Sequence, residues 1–406
     1  MISKEFPLSG FVSKKSLSRL FICDPVCALP YGHNLAAMNN FRKLLSEYYE
    51  EVVCLVSREL PDSLASLNAM EGEFSYCYED VMPLSKKGSD RADLLRSHSQ
   101  KIAMAKQDII QIIQRWDIKS TDTICYPSID FYSLFALNEV VDELRAAGAP
   151  KLLIRLIGVM ETASSAHYKQ PLDVVLGLLS CLRTSGLTVK IAAETPRYAG
   201  YLAMNLNCLV DVTANIEMRE QVDLPETENF NIICPGSARY DKGFLNLLEV
   251  FEAVRRRDPE MKIRFFTQVL PDRDLKHQIS YLTKLYAVPG VTILPSMLSA
   301  NDLEAMYDES HLVLLPYASD VYEYRGSAVL IEALLAGRHC ISLNGPAFVE
   351  QMNYFGAGEA CQNISEIVDK IFMLSRLTRS QLDGKVTQAR NRFIRDLAAS
   401  YRSWAA

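Results

Sequence analysis

The sequence lacks the short motifs that identify several large classes of protein. It has ten cysteines but no CxxC pair, so neither a zinc ribbon nor a thioredoxin-like redox site is predicted. It has neither a P-loop nor a GxGxxG segment. The histidines other than His33 show no metal-ligand spacing, and we expect neither a metal nor another cofactor.

The sequence also lacks a long apolar run. No segment approaches the roughly 20 apolar residues that span a bilayer, and residues 1–19 contain no continuous apolar stretch of the kind found in secretory signals. We therefore expect a cytoplasmic protein whose contact with a membrane, if it makes one, is with the inner face. The net charge of -6 gives no general reason to bind nucleic acid.

Short apolar runs alternate with longer amphipathic stretches along most of the 406 residues. This alternation predicts an α/β protein with parallel sheets covered by helices on both faces. The predicted strands are 18–23, 51–56, 123–127, 151–157, 189–193, 230–235, 262–269, 291–294, 311–316 and 339–343. The predicted helices are 34–49, 92–116, 132–147, 173–185, 242–257, 274–285, 301–307, 327–336 and 364–374, with further helix after 376.

A single core rarely grows beyond roughly 250–300 residues, so the length predicts two domains. An acidic stretch with little apolar periodicity, 211–228, has the composition of a linker. We predict one doubly wound, Rossmann-like domain at 1–210 and a second at 229–385. The last helix, 386–406, has no strand of its own, and we expect it to pack back across the junction.

The strongest local motif is the strand-turn-helix segment at 230–244, NIICPGSARYDKGF after Phe230. Its turn contains Gly236 and two cations, Arg239 and Lys242. Ligands of doubly wound folds bind at the carboxyl ends of strands, and Arg and Lys suit an anion such as a diphosphate. The alternative is that both cations are ordinary surface residues of a loop.

A second motif follows the predicted strand that ends at Pro316. Gly326 and Ser327 open a helix whose free N–H groups can hold a phosphate. Glu332 lies in that helix among apolar residues, where its carboxylate either interrupts a buried face or accepts hydrogen bonds from the vicinal hydroxyls of a sugar.

Together the two motifs resemble the donor-binding domain of GT-B glycosyltransferases of the retaining family-4 type. Gly236, Lys242 and Gly243 stand at the spacing of that family's G-RxxxxK-G segment, although Ser237 replaces the usual Arg. Glu332 matches the second Glu of the family's E-x7-E segment, which holds the nucleotide ribose. The resemblance implies the GT-B fold, with two Rossmann-like domains that face each other across a cleft.

The first Glu of E-x7-E falls on Tyr324 in this chain. Either Tyr324 supplies a hydrogen bond to the donor sugar, or Glu323 is shifted into place, or sugar recognition differs or activity has been lost. The resemblance implies catalytic roles for Lys242, Arg239, His33 and Glu323. It implies donor binding by the following residues: Gly32, Gly236, Ser237, Arg239, Lys242, Tyr322, Tyr324, Gly326, Ser327, Ala328 and Glu332.

Two further candidates lie in the first predicted domain. His33, next to Gly32 at the start of a predicted helix, could contact the acceptor or the diphosphate, act as an acid or base, or simply cap the helix. Glu161 follows a predicted strand whose carboxyl end faces the same cleft. Residues 86–119 carry eight basic and four acidic side chains, which suits either an anionic lipid surface or a solvated helix face.

We interpret the sequence as that of a metal-independent, retaining glycosyltransferase of the hexosyltransferase type. It would move a sugar from a UDP- or GDP-sugar donor to a glycan or lipid-linked hydroxyl, and the resemblance suggests bacterial surface polysaccharide synthesis. Two alternatives stay open: a nucleotide-sugar 2-epimerase on the same fold, and a protein that binds nucleotide sugars without catalysis.

Overall fold

The computed structural model describes residues 16–28, 33–75, 91–158, 172–217, 219, 221–236, 242–268, 279–295 and 298–406. The chain divides into two compact units. The first holds the described residues up to Glu194, with Tyr198–Ile216 and Asp396–Ala406. The second holds Thr195–Arg197 and the described residues of Glu217–Arg395.

The first unit is built on a seven-stranded parallel sheet with the order β3-β2-β1-β4-β5-β6-β7. Its central strands are nearly continuous apolar runs because helices cover both faces of such a sheet. The strands are β1 (Ser16–Asp24), β2 (Tyr49–Ser57), β3 (Met70–Phe74), β4 (Thr123–Tyr126), β5 (Lys151–Leu156), β6 (Val189–Ala193) and β7 (Asp211–Val212).

The helices associated with these strands follow the same chain order. Asp130 caps one of them by accepting hydrogen bonds from the amides of Tyr132 and Ser133. The helices are α1 (His33–Leu45), α2 (Asp62–Leu67), α3 (Arg91–Arg115), α4 (Phe131–Glu139), α5 (Val141–Ala146), α6 (Leu172–Thr184) and α7 (Pro196–Leu206).

The second unit contains a six-stranded parallel sheet with the order β10-β9-β8-β11-β12-β13. Its strands are β8 (Phe230–Cys234), β9 (Ile263–Gln268), β10 (Val291–Leu294), β11 (Leu312–Leu315), β12 (His339–Leu343) and β13 (Gly358–Cys361). Its helices are α8 (Phe244–Arg257), α9 (Ile279–Ala287), α10 (Ala300–Asp308), α11 (Ala328–Leu335), α12 (Phe348–Phe355) and α13 (Ile364–Leu374).

A final helix, α14 (Arg379–Ala405), contributes to the core of each unit separately. Its residues up to Arg395 belong to the second unit, where Phe393 is fully buried. From Asp396 it counts with the first unit, where the buried Tyr401 hydroxyl donates to the carbonyl of Ala214 at 2.8 Å. The helical structure predicted after residue 376 is thus a single helix.

The predicted doubly wound, parallel-sheet architecture is confirmed. Three strands and three helices were absent from the prediction: β3, β7, β13, α2, α7 and α12. The predicted helix 132–147 is two helices that meet at Val140. The predicted linker 211–228 begins with β7, which pairs with β6 in the first sheet.

Two features are absent from the described residues. Within those ranges no helix is long and apolar enough to cross a membrane. Nor does any group of three or more His, Cys, Asp or Glu side chains there come together in a way that could hold a metal ion.

Candidate functional site

The two sequence motifs meet at one point of the second sheet. Strand order reverses between β8 and β11, which are neighbours in the sheet although β9 and β10 lie between them in the chain. Gly236 follows β8 and Pro316 follows β11, so both stand at the carboxyl edge of this reversal. In doubly wound folds this is where ligands bind.

Lys242 lies directly over Gly236. A Cβ atom on Gly236 would meet Nζ of Lys242 and would stand 3.1 Å from its Cδ, and the φ of +97° at Gly236 is itself unfavourable for other residues. The partly exposed lysine ammonium lies 5.6 Å from the ring centroid of Tyr317, which follows β11. The amide of Gly236 donates to Oε1 of Gln268 at 2.9 Å, so the turn is tied to β9 as well.

Gly243 brings the two motifs into backbone contact. Its φ is +72°, and a Cβ atom there would overlap the carbonyl oxygen of Pro316. The same carbonyl accepts a hydrogen bond from the side chain of Asn246, at 3.1 Å. Because glycine has no Cβ atom, the start of α8 can approach the end of β11 closely, and no other residue fits at this position.

The loop between β11 and α11 is held by partners outside it. The carbonyl of Tyr322 accepts from the amide of Ala347 at 2.8 Å, and its ring centroid lies 4.8 Å from that of Tyr317. The carbonyl of Tyr324 accepts from the buried hydroxyl of Thr195 at 2.8 Å. Arg197 donates to the carbonyl of Glu323 at 3.4 Å.

The side chains of this loop differ in exposure. Tyr322 and Tyr324 are 4% and 9% exposed, whereas Glu323 is only partly buried. Of the two residues considered for the first Glu of the family motif, Glu323 is therefore the more accessible to a ligand.

Helix α11 begins as the sequence predicts. Ser327 is its N-cap, with its hydroxyl accepting from the amide of Leu330 at 3.2 Å. Gly326 and Ala328, on either side of the cap, are partly exposed, which leaves the start of the helix partly accessible. Glu332 is also partly exposed, although the residues on both sides of it are buried.

A tyrosine that the sequence analysis missed holds Glu332. The hydroxyl of Tyr307, on α10, donates to Oε2 of Glu332 at 2.7 Å. Burial, and then the nearby Glu332 carboxylate, raise the pKa of Tyr307 well above its ordinary value, so the hydroxyl stays a donor. The buried guanidinium of Arg338 donates to the carbonyl of Tyr307 at 2.8 Å.

A cavity of about 380 Å³ lies beside α10. Pro295, Asp302 and Met306 are among the residues that line it, and Lys242 and Glu332 are not. The volume is within the range of roughly 300–1,000 Å³ that is usual for small-molecule pockets. It is therefore large enough for a base-sized group next to the helix that carries Tyr307.

Several candidate residues lie outside the described part of the chain, namely Gly32, Glu161, Ser237 and Arg239. His33 is the first residue of α1, and its side chain is likewise outside the description. Among the candidate residues that the structure describes, Gly236 and Lys242 come together with the β11–α11 loop.

The first unit has buried carboxyl groups at its own point of reversal, between β1 and β4. Burial raises the pKa of Asp24, which ends β1, to about 7, with a contribution from Asp130. One oxygen of Asp24 accepts from the amide of Val26 at 2.9 Å. Burial also raises the pKa of Asp130, the cap of α4.

The described cations of the basic stretch 86–119 largely have carboxylate partners. Lys106 pairs with Glu139 at 3.6 Å, and Arg115 with Glu73 at 2.8 Å. Lys119 pairs with its neighbour Asp117 at 3.0 Å. These pairs favour the interpretation as a solvated helix face over that of a lipid-binding surface.

Comparison with known proteins supports this description of the second unit. Residues 215–380 match the family of glycosyl transferases group 1. Among curated proteins, none matches the sequence.

Solved structures resemble the chain over most of its length. One, described as trehalose-6-phosphate from E. coli bound with UDP-2-fluoro glucose, has a TM-score of 0.62 at 11% identity and covers 94% of this chain and 99% of its own. An alpha,alpha-trehalose-phosphate synthase (UDP-forming) from Burkholderia vietnamiensis has a TM-score of 0.63 at 9% identity, with 95% of each chain covered. A putative UDP-N-acetylglucosamine 2-epimerase from Listeria monocytogenes has a TM-score of 0.53 at 13% identity and covers 93% of this chain and 95% of its own.

These findings confirm two predictions. The structural likeness, with two parallel-sheet Rossmann-like units, shows the GT-B fold. The family match over 215–380 shows that the chain carries a glycosyl transferases group 1 domain and that it is a glycosyltransferase.

Proposed function

We propose that the second unit binds a nucleotide-sugar donor and that the enzyme transfers its sugar to a hydroxyl acceptor. The observation that carries this proposal is the position of Lys242, over Gly236 and beside Tyr317, at the reversal between β8 and β11. An ammonium group placed at that edge suits the diphosphate of a donor better than it suits an uncharged ligand.

The donor would be held by groups of three kinds. Lys242 contacts the diphosphate, and the partly exposed start of α11 at Gly326–Ala328 offers it N–H groups and the positive end of a helix dipole. Arg239, three residues before Lys242 in the sequence, is the second cation of this proposal. Glu332 accepts hydrogen bonds from the ribose hydroxyls.

In the reaction, the acceptor oxygen forms a bond to the anomeric carbon while the bond from that carbon to the phosphate oxygen breaks. The acceptor proton passes to the departing phosphate, and Lys242 stabilises the negative charge that develops there. We propose retention of configuration and no requirement for a metal ion, since the cations of the protein neutralise the leaving group. The family-4 resemblance of the two motifs supports both points.

The substrates are proposed from the same resemblance and from two of the similar structures. One of these has bound UDP-2-fluoro glucose and another is UDP-forming, which favours a UDP-sugar over a GDP-sugar as the donor. The acceptor would be a glycan or a lipid-linked hydroxyl in bacterial surface polysaccharide synthesis, handled on the cytoplasmic side of the membrane.

A panel of UDP-, GDP-, ADP- and TDP-sugars tests the proposal. Each is incubated with the enzyme, with and without a mixture of sugar acceptors and with and without EDTA, and both the nucleotide and the sugar are analysed. Released nucleoside diphosphate with a newly formed glycoside supports the proposal. A changed sugar on an intact nucleotide indicates an epimerase, and a thermal shift without turnover indicates binding only; either result contradicts it.

A further inference from the structure

Glu332 occupies an unusual place for a carboxylate. It belongs to an eight-residue helix in which Val329, Leu330, Ile331, Ala333, Leu334 and Leu335 are buried. The terminal torsion of a glutamate is broad, so an unrestrained carboxylate would turn freely. A carboxylate that recognises two neighbouring hydroxyl groups has to present its lone pairs in one direction, which requires a fixed donor.

Tyr307 has the properties of such a donor. Its side chain is fully buried, and its hydroxyl lies 2.7 Å from Oε2 of Glu332. The guanidinium of Arg219 stands 4.7 Å from the centroid of its ring. Its carbonyl accepts from Arg338 and also from the hydroxyl of Ser310, both at 2.8 Å.

Arg219 is itself held in place by hydrogen bonds to α10, the helix that carries Tyr307. Its guanidinium donates to Oδ1 of Asp308 at 2.8 Å and to the carbonyl of Glu304 at 2.9 Å. The ring and the main chain of Tyr307 are thus fixed by neighbours other than Glu332. A side chain constrained in this way can impose its own position on the group to which it donates.

We propose that Tyr307 is the positioning residue of the ribose site, holding the Glu332 carboxylate in the orientation that receives the vicinal hydroxyls of the nucleotide. The inference rests on the proposed function, because it takes Glu332 as the group that binds ribose. Tyr307 itself does not touch the donor.

The test compares the affinities of the wild type and of Tyr307→Phe for UDP and 2′-deoxy-UDP, and for GDP and 2′-deoxy-GDP, by titration calorimetry. The phenylalanine keeps the ring beside Arg219 and removes only the hydroxyl. We expect the affinity for the ribonucleotide to fall about five- to tenfold, in line with the net contribution of one hydrogen bond. The affinity for the deoxynucleotide should change less, so the preference for ribose declines.

Two further variants separate positioning from a general structural effect. Tyr401→Phe removes a buried hydroxyl that donates to a backbone carbonyl in the first unit, and it should leave both affinities unchanged. In Glu332→Ala, adding Tyr307→Phe should weaken ribonucleotide binding no further, since the group to which the tyrosine donates is already absent.

An unchanged preference for ribose in Tyr307→Phe, or an equal loss of affinity for both forms of the nucleotide, would overturn the inference and leave the proposed function standing. If the wild type binds none of the four nucleotides, the proposed donor site is wrong, and the inference is overturned with it.

Discussion

Lys242 and Glu332 are the two described side chains on which the proposed donor site depends most. We predict that Lys242→Ala and Glu332→Ala each lower kcat/KM at least about a hundredfold, because one good electrostatic contact in the transition state is typically worth that much. Both side chains are partly exposed, so neither change should unfold the protein. Initial rates of nucleotide release, together with a thermal melt, measure the two effects.

Lys284 supplies the matched control. It is an exposed lysine of α9 in the same unit, and Lys284→Ala should keep wild-type activity. Near-normal turnover in Lys242→Ala or in Glu332→Ala would contradict the assignment of the site.

Gly243 allows a prediction about stability. Gly243→Ala places a Cβ atom on the Pro316 carbonyl at a φ of +72°, so the backbone has to move. We expect the free energy of unfolding to fall by about 3 kcal/mol or more, the size expected of overpacking combined with backbone strain. A denaturant titration or thermal melt followed by circular dichroism measures it.

Gly384 is the comparison for this change. It lies within α14, and a Cβ atom there would meet nothing within 4 Å. Gly384→Ala should therefore be neutral or stabilise the protein by up to about 1 kcal/mol, through the higher helix propensity of alanine. Equal effects of the two substitutions would refute the close approach of α8 to β11.

The parts of the candidate site that could be predicted are those that belong to motifs of neighbouring residues in the sequence. Gly236, Lys242 and Glu332 each stand in a strand-turn-helix motif, where the spacing indicates the carboxyl edge of a strand. Tyr307 meets Glu332 from a different helix, 25 residues earlier in the chain. Nothing in the local pattern distinguishes it from the other aromatic residues of the chain, so only the folded chain shows the contact.

Among the strands, position in the sheet and apolar content together decided what the sequence could predict, since the edge strand β10, with the apolar sequence VTIL, was predicted. The strands missed, β3, β7 and β13, are all at sheet edges. Edge strands are short and carry charged or small residues, as in the MEGEF of β3 and the GEAC of β13. The interior strands are covered on both faces and therefore appear as apolar runs, and these were predicted to within a few residues.

The β11–α11 loop depends on a hydrogen bond that comes from far away in the sequence. Thr195 is fully buried, and its hydroxyl donates to the carbonyl of Tyr324. We predict that Thr195→Val destabilises the protein by about 1–3 kcal/mol, because the carbonyl loses a buried donor, and that it lowers kcat by loosening the loop beside Glu323. Thr195→Ser keeps the hydroxyl and should restore most of both.

Thr184→Val is the control for this effect. The Thr184 hydroxyl is exposed near the end of α6 and donates to local carbonyls, including that of Ser180 at 3.0 Å. Its removal should change the free energy of unfolding by less than about 0.5 kcal/mol. A Thr195→Val enzyme as active and as stable as this control would show that the loop does not need the bond.

The molecule as a whole consists of two units, each with a parallel sheet. The net charge of -6 was a poor guide to the ligand, since it averages over a site where one ammonium group stands at the edge of the second sheet. In the first unit, buried carboxyl groups such as Asp24 contribute to how the stability of the fold responds to pH.

Asp24 gives the pH dependence of stability a defined range. Burial raises its pKa from 3.8 to about 7, so the folded state holds a proton that the unfolded state has already released. Below about pH 4 Asp24 is protonated in both states, so it does not lower the free energy of unfolding. Between about pH 4 and pH 7 the cost grows as pH rises, and above that range it is constant at roughly 4 kcal/mol, by linkage.

The substitution Asp24→Asn removes this cost and keeps an oxygen for the amide of Val26. We predict a higher Tm than the wild type at about pH 8, with the difference shrinking as the pH approaches about 4. Asp122→Asn should have the opposite sign at the higher pH, because Asp122 is buried and accepts hydrogen bonds from Arg19, at 2.6 Å and 3.1 Å. Thermal melts of the three proteins across this pH range measure both effects. An Asp24→Asn protein less stable than the wild type at the higher pH would show that the Asp24 carboxyl stabilises the folded first unit.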